Sequence, residues 1–257
     1  MRAPIKGDKV VISGLQKTTL LDYPGHIACT IFFGHCNLRC PFCHNMELVL
    51  NPEHFPVFTM ENILEFLKER KGKLDGVAVT GGEPLLNKDI ADLLRPIKEL
   101  GYPIKLDTNG FFPEMIEKLI DEKLVDMFAM DIKAGWTNYL RVAGVSLDHN
   151  GEPESRRGEH CESAAWQEKV KKSIALLMNK ANDYEFRTTC VKGLHTELDF
   201  FEIKDMIKGA KKYFLQDYKA APDMENLPFK AFSRNELEHF KDIVKGSVEF
   251  VDIRGVD

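Results

Sequence analysis

The feature that most constrains this chain is a repeated alternation of short apolar runs with amphipathic helical stretches. Ile27–Phe33, Gly76–Thr80, Ile104–Asp107, Val125–Asp131, Tyr184–Val191 and Tyr213–Asp217 read as strands, being short and rich in β-branched and aromatic residues. Helical periodicity fills the intervals. Met60, Ile63, Leu64 and Leu67 share one face of Thr59–Arg70, and Ile90, Leu93, Leu94 and Ile97 share one face of Asp89–Leu100. Pro113–Asp121 opens on a proline suited to a first helical turn, Trp166, Val170, Ile174 and Leu177 mark a further helix face, and Leu198–Lys211 is another. Repeated strand-then-helix units impose a parallel sheet with right-handed crossovers. About six such units over residues 27–219 predict an α/β fold, a barrel or partial barrel, in a single domain.

The flanks differ. Residues 1–26 precede the first unit and are expected to form a small β-rich cap. Residues 220–257 read as an extension: Ser233 and Glu236 form a capping-box pattern before a helix reaching about Val244, and Val248–Ile253 is a last strand. Residues 145–163 are polar, almost free of large apolar groups, and expected to be a long mobile surface loop.

Composition excludes several function classes. With 35 basic against 40 acidic residues the net charge is −5, which argues against a nucleic-acid binder. No run approaches the ~18 apolar residues of a membrane span, and the first 15 residues lack the apolar core of a signal peptide. A cytoplasmic protein without a membrane partner is expected, and in that compartment cysteines serve as thiols, metal ligands or redox groups rather than disulfides.

Three of the six cysteines stand close together. Cys36, Cys40 and Cys43 have the spacing C-x3-C-x2-C directly after a predicted strand, where α/β barrels place their active-site loops. Three thiolates suit a [4Fe–4S] cluster whose fourth iron has no protein ligand; electron-transfer clusters use four. Structural zinc with His35 or His44 as fourth ligand, or free thiols, are the alternatives on spacing alone. Cys29, Cys161 and Cys190 have no such spacing, so one cluster is expected.

This three-cysteine loop, with Phe42 before the last cysteine, resembles the signature of the radical S-adenosylmethionine (SAM) superfamily. His44-Asn45 and the preceding Leu21-Asp22-Tyr23-Pro24-Gly25 resemble its glycyl-radical-enzyme activases, most of all the anaerobic ribonucleoside-triphosphate reductase activating proteins. The resemblance implies a TIM-like partial barrel of the radical SAM type, one [4Fe–4S] cluster on Cys36, Cys40 and Cys43, and SAM as cofactor. It implies that Gly81-Gly82-Glu83 holds the amino group of SAM, and glycines there would also let backbone approach closely. It assigns Asp107, Thr108 and Asp131 to a monovalent cation site beside SAM. It makes Lys133 and Arg187 candidate catalytic and SAM-contacting residues, and places Phe42, His44, Val191 and Gln216 around the cofactor. Two positions depart from the pattern: His35 stands where the group usually has glycine, and Leu215–Lys219 lacks a substrate-side histidine.

The implied activity is reductive cleavage of SAM to a 5′-deoxyadenosyl radical, followed by formation of a glycyl radical on a partner such as anaerobic ribonucleotide reductase. Flavodoxin or ferredoxin would donate the electron. Two other readings stand beside it: a small-molecule radical SAM enzyme like 7-carboxy-7-deazaguanine synthase, and a structural zinc or cluster module.

Overall fold

A computed structural model describes residues 12–145, 163–220 and 228–255. One eight-stranded sheet runs in strict chain order: β1 (Ile12–Thr19), β2 (Ala28–Phe33), β3 (Gly76–Gly81), β4 (Ile104–Thr108), β5 (Met127–Asp131), β6 (Asp183–Cys190), β7 (Lys212–Asp217) and β8 (Phe250–Arg254). β1 pairs antiparallel with β2, and every later pairing is parallel. No ladder joins β8 to β1 among the described residues, so the sheet is a barrel with an open side.

Helices supply the crossovers. They are α1 (Met46–Leu50), α2 (Met60–Glu69), α3 (Ile90–Glu99), α4 (Pro113–Asp121), α5 (Tyr139–Ala143), α6 (Ser163–Lys180), α7 (Glu197–Met206) and α8 (Arg234–Val244). α2 and α8 start at capping boxes, Thr59 with Asn62 and Ser233 with Glu236, which satisfy the orphan N–H groups of the first turn. The apolar stripe of α3, with Ile90, Leu93, Leu94 and Ile97, is fully buried. Beneath the helices lie Val77, Val79, Ile104, Leu106, Phe128, Met130, Phe186, Tyr213 and Leu215, all at most 1% exposed.

The six expected strands and five expected helices of residues 27–219 are all present, as are the last helix and strand. The helix expected over 198–211 ends at Met206, and Gly209 follows with φ +86°, a left-handed conformation that closes a helix. Two short helices carry no strong periodicity and were not expected: α1 just after the cysteine loop, and α5 just after β5. The β-rich character expected for residues 1–26 is seen in β1; residues 1–11, Cys161 and nearly all of the 145–163 loop lie outside the described residues. The Leu21–Gly25 motif sits where the chain enters β2, at the end of the sheet away from the strands' carboxyl ends. There Asp22 accepts a hydrogen bond from Thr30 Oγ1 at 2.5 Å and Tyr23 stacks on His26. Among the described residues no helix is long and apolar enough to cross a membrane.

Along each strand, alternate residues face the barrel axis. On β6 these include Glu185, Arg187 and Thr189; on β4, Lys105 and Asp107; on β7, Phe214 and Gln216. The axis is therefore charged. At its floor Glu185, only 1% exposed, accepts two hydrogen bonds from Arg254 of β8 at 2.7 and 2.8 Å, and that guanidinium stacks on Phe214 at 3.3 Å. β8 thus closes the floor by an ion pair as well as a ladder. Arg254 is one-third exposed while Glu185 is buried, so removing the arginine strands a buried carboxylate and costs about 1–3 kcal/mol. Arg254→Met is expected to lose stability on that scale by urea denaturation, and Glu185→Leu with Arg254→Met to recover most of it. A loss below about 1 kcal/mol in the single variant would show that the pair does not hold the floor.

Candidate functional site

A cavity of about 350 Å³ opens at the carboxyl ends of the parallel strands. It is a common size for a small-ligand site and the usual location in α/β sheets. Its walls come from the loop after β2 and from the ends of β3 through β7. Cys36, Cys40, Cys43, Phe42, His44, Gly81, Gly82, Glu83, Asp107, Thr108, Asp131, Lys133, Arg187 and Gln216 all line it. Of the expected site residues, Val191 alone stands apart. It is fully buried in the core at the end of β6, where its N–H donates to His195 Nδ1 at 3.0 Å, and it does not contribute to the cavity wall.

The cysteine loop is clamped from three sides. Glu83 N–H donates to the His35 carbonyl at 2.9 Å, which brings the two loops so close that a Cβ on Gly82 would lie 1.7 Å from that oxygen. His35 itself has φ +62°, which explains why this position favours glycine; a β-carbon there costs roughly 1–2 kcal/mol. On the second side Asn45 Nδ2 donates to the Gly81 carbonyl at 2.9 Å. On the third, Arg39 N–H donates to the Ala143 carbonyl at the end of α5 at 3.1 Å, and Gly144 packs so tightly that a Cβ would meet Arg39 O at 1.8 Å. These contacts give α1 and α5 their purpose.

The thiols sit among donors. Cys36 Sγ accepts from Leu38 N–H at 3.4 Å and from Asn109 Nδ2 at 3.7 Å, and Cys40 Sγ lies 3.6 Å from the Ala143 carbonyl. Burial pushes the Cys36 thiol up to about 12 and raises Cys40, while the nearby Lys133 ammonium pulls Cys40 back. Thiolates here need a cationic partner, and a metal supplies one, with protons released on loading. Among the described residues no three His, Cys, Asp or Glu side chains are gathered for a single metal ion. Three thiols on one loop around one cavity, with N–H donors aimed at sulfur and an ammonium beside them, fit a multi-iron cluster held by three cysteines.

Opposite the thiols lies a continuous chain of charges. Asp131 and Arg187 are adjacent across the β5–β6 ladder. Arg187 donates through Nε at 3.1 Å and through its terminal nitrogen at 2.9 Å to one oxygen of Asp131, whose other oxygen accepts from Lys133 Nζ at 2.9 Å. Arg187 also reaches Asp107 at 3.4 Å, and Lys105 Nζ donates to the second oxygen of Asp107. Burial opposes the charge on Asp131, but Lys133 and Arg187 outweigh it and hold the carboxyl down at about 2. Arg187 and Lys105 likewise overcome burial to lower Asp107. Lys133 and Arg187 are raised in turn by these carboxylates.

Glu83 is committed to its own chain. Oε1 accepts from Leu85 N–H at 3.0 Å and Thr108 Oγ1 at 2.9 Å, and Oε2 accepts from Asn109 N–H at 2.7 Å. It ties β3 to β4 at the cavity edge; burial lifts its carboxyl to about 7 against those three donors. The oxygens expected to bind a monovalent cation are engaged as well: Thr108 Oγ1 points to Glu83 and accepts from Gly110 N–H, and both carboxylates are ion-paired. The residues do not fit a free metal cation there. Lys105, Asn109 and the Ala143 carbonyl are site groups that sequence reasoning missed. Only Lys105 left a signal, a lysine two residues before Asp107 in an otherwise apolar strand.

A barrel mouth walled by three cysteines and a buried charge chain is the architecture of a radical SAM enzyme, and residues 30–150 match the Radical SAM superfamily. A Methanocaldococcus jannaschii protein named as a candidate glycyl-radical enzyme activating enzyme is 33% identical over 97% of this chain and 98% of its own length. The pyruvate formate-lyase-activating enzyme of Clostridium pasteurianum is 34% identical over 48% of this chain and 52% of its own. The chain belongs to the radical SAM superfamily, in the family of glycyl-radical enzyme activating enzymes. The radical SAM class brings with it a [4Fe–4S] cluster and SAM. Among solved structures, Streptococcus suis SuiB aligns with a TM-score of 0.61 at 15% identity, over 86% of this chain and 47% of that one. TYW1 aligns with 0.55 at 16% over 84% and 72%. At such identities the likeness shows the fold alone.

Replacing Cys36, Cys40 or Cys43 by Ala is expected to abolish loading of ~4 iron and ~4 sulfide per chain. Cys29→Ala and Cys190→Ala are expected to load normally, since both thiols are buried in strands away from the cavity. Iron and sulfide analysis after anaerobic reconstitution decides it; loss of half the iron in Cys161→Ala would overturn the one-cluster assignment.

Proposed function

We propose that this protein generates a glycyl radical on a partner enzyme, and that the partner is an anaerobic ribonucleoside-triphosphate reductase. The observation that carries the reading is the convergence, on one cavity at the strand ends, of the three-cysteine loop and the Asp107–Arg187–Asp131–Lys133 chain. Cys36, Cys40 and Cys43 hold the cluster. The Gly81 and Gly82 backbone, Lys133, Arg187, Phe42, His44 and Gln216 form the SAM site around it. When both are bound, the cluster and SAM supply a one-electron cleavage that yields a 5′-deoxyadenosyl radical, the species that abstracts hydrogen.

The protein's own groups bind and orient. Lys133 and Arg187 keep partial positive charge toward the cavity, since their carboxylate partners are shared; a carboxylate ligand such as that of SAM is recognised by charge-assisted hydrogen bonds there. Asp131 fixes both cations in place. Buried apolar walls exclude water and protect a reactive intermediate. No ladder joins β1 to β8 among the described residues, and this open side of the sheet supports a protein loop as substrate over an enclosed small molecule. A flavodoxin or ferredoxin supplies the electron, and the reaction takes place in the cytoplasm.

The test is anaerobic incubation with SAM, a reductant and candidate partners from the same organism. The expected outcome is a doublet in the electron paramagnetic resonance spectrum from one α-hydrogen of a glycyl radical, with 5′-deoxyadenosine formed alongside, both lost in Cys40→Ala. If SAM is cleaved, no candidate enzyme gives the doublet and a deazapurine-type small molecule is consumed, the activase reading falls to the small-molecule one.

A further inference from the structure

We propose that Lys105 is the resident cation of this site: its ammonium stands beside Asp107 in place of a monovalent metal ion, so SAM binding here requires no added metal cation. The proposal rests on the reading of the cavity as a SAM site only for its affinity measurement.

Three observations carry it. First, the carboxylates are already outnumbered by cations. Asp107 and Asp131 contribute two negative charges, and Lys105, Arg187 and Lys133 contribute three positive ones, with Asp107 held by Lys105 and Arg187 and Asp131 by Arg187 and Lys133. A further cation would enter an environment with an excess of positive charge. Second, the oxygens a metal ion needs are engaged: both Asp107 oxygens and both Asp131 oxygens each accept from a protein donor, and the Thr108 hydroxyl accepts from Gly110 N–H while donating to Glu83. Third, Lys105 is built into the position. It is 2% exposed, and a lysine is almost never so buried unless paired. The β3–β4 ladder sets it opposite Ala78, and the β4–β5 ladder sets Asp107 opposite Ala129. These two small neighbours leave the lysine stem a path up the barrel axis to the Asp107 carboxylate.

A covalently attached charge behaves unlike an ion. It cannot dissociate, so the orientation of Arg187, which Asp107 shares, does not vary with the salt composition. Lys105 is accordingly a positioning residue; it acts on SAM through Asp107 and Arg187.

The experiment compares potassium, sodium and thallium chlorides with choline chloride at constant ionic strength, in wild type and in Lys105→Ala, which opens space for an ion. In the wild-type full-length protein, SAM affinity after anaerobic cluster reconstitution is expected to change less than about twofold between salts. Crystals soaked in thallium are expected to show no anomalous peak at Asp107. In Lys105→Ala, SAM affinity in choline is expected to fall about tenfold, the scale of one lost charge-assisted contact, and to recover in potassium or sodium. Its cluster-free form is expected to gain thermal stability from those ions, and thallium to appear beside Asp107. A thallium peak at Asp107 in wild type, or potassium dependence of wild-type SAM affinity equal to that of the variant, overturns the proposal. So does a folded Lys105→Ala protein that loses affinity and no metal ion restores. If Lys105→Ala does not fold, the wild-type thallium and salt measurements decide alone. If neither protein binds SAM in any salt, the SAM-site reading has failed, and the thallium and thermal-stability measurements still judge Lys105.

Discussion

Everything at the mouth of this barrel depends on charge being neutralised inside it. A parallel barrel of this kind usually fills its axis with branched apolar side chains. Here the register instead stacks Lys105, Asp107, Asp131, Glu185, Arg187 and Arg254 on inward-facing positions of four strands. An isolated charge in such a place is prohibitive, and pairing makes it tolerable rather than favourable. The strands gain no stability from this arrangement that leucines would not give better. What they gain is geometry: Asp107, Asp131 and Arg187 each have two ionic partners, so none of them can rotate away from the cavity without leaving a buried charge unpaired. Catalytic groups that must wait in position for a cofactor are held this way.

The same economy governs the cysteine loop. A loop of three metal ligands has little regular structure to stiffen it, and its backbone N–H and C=O groups need partners. The structure finds them in neighbours: the loop after β3 through His35 and Glu83, the Gly81 carbonyl through Asn45, and the end of α5 through Arg39 and Ala143. Glu83 then joins this assembly to Thr108 and Asn109. Asn109 in turn donates to Asn37 at 2.7 Å inside the cysteine loop, which closes a circuit from β2 through β3 to β4 and back. His195 performs a related task on the other wall, donating through Nε2 to the Lys133 carbonyl at 2.8 Å and accepting the Val191 N–H, which fixes the neutral tautomer. It is a brace, in keeping with its position just before α7.

Much of this was legible in the sequence because two periodicities are strong. Strands such as Gly76-Val77-Ala78-Val79-Thr80 and helix faces such as Ile90, Leu93, Leu94 and Ile97 announce themselves, and motif residues fall at strand ends as the fold requires. What was not legible is of four kinds. α1 and α5 are five residues each, too short for a period to register, and they exist because the cysteine loop packs on them. The partners of Glu83, Thr108 and Asn109, lie 25 and 26 residues away and become neighbours only through the sheet. Val191 lies one residue past β6, and its side chain is fully buried in the core and absent from the cavity wall. The left-handed turn at His35 was visible only as a departure from a pattern, and it took the backbone angle to show that the position favours glycine for conformational reasons.

The distribution of charge along the axis also decides from which side the site can be reached. The cavity at the strand ends and a second cavity at the opposite end of the barrel share no lining residue. Between them lies an inner layer that includes Lys105, Glu185, Phe214 and Arg254, with the Arg254 guanidinium laid flat on the Phe214 ring and both its terminal nitrogens on Glu185. That layer is a septum: an ion-paired, aromatic floor through which neither a peptide nor a nucleotide passes without breaking a buried salt bridge. Among the described residues, the mouth is thereby separated from the opposite end of the barrel. Because β8 itself supplies Arg254, the strand that borders the open flank is the one that seals the floor.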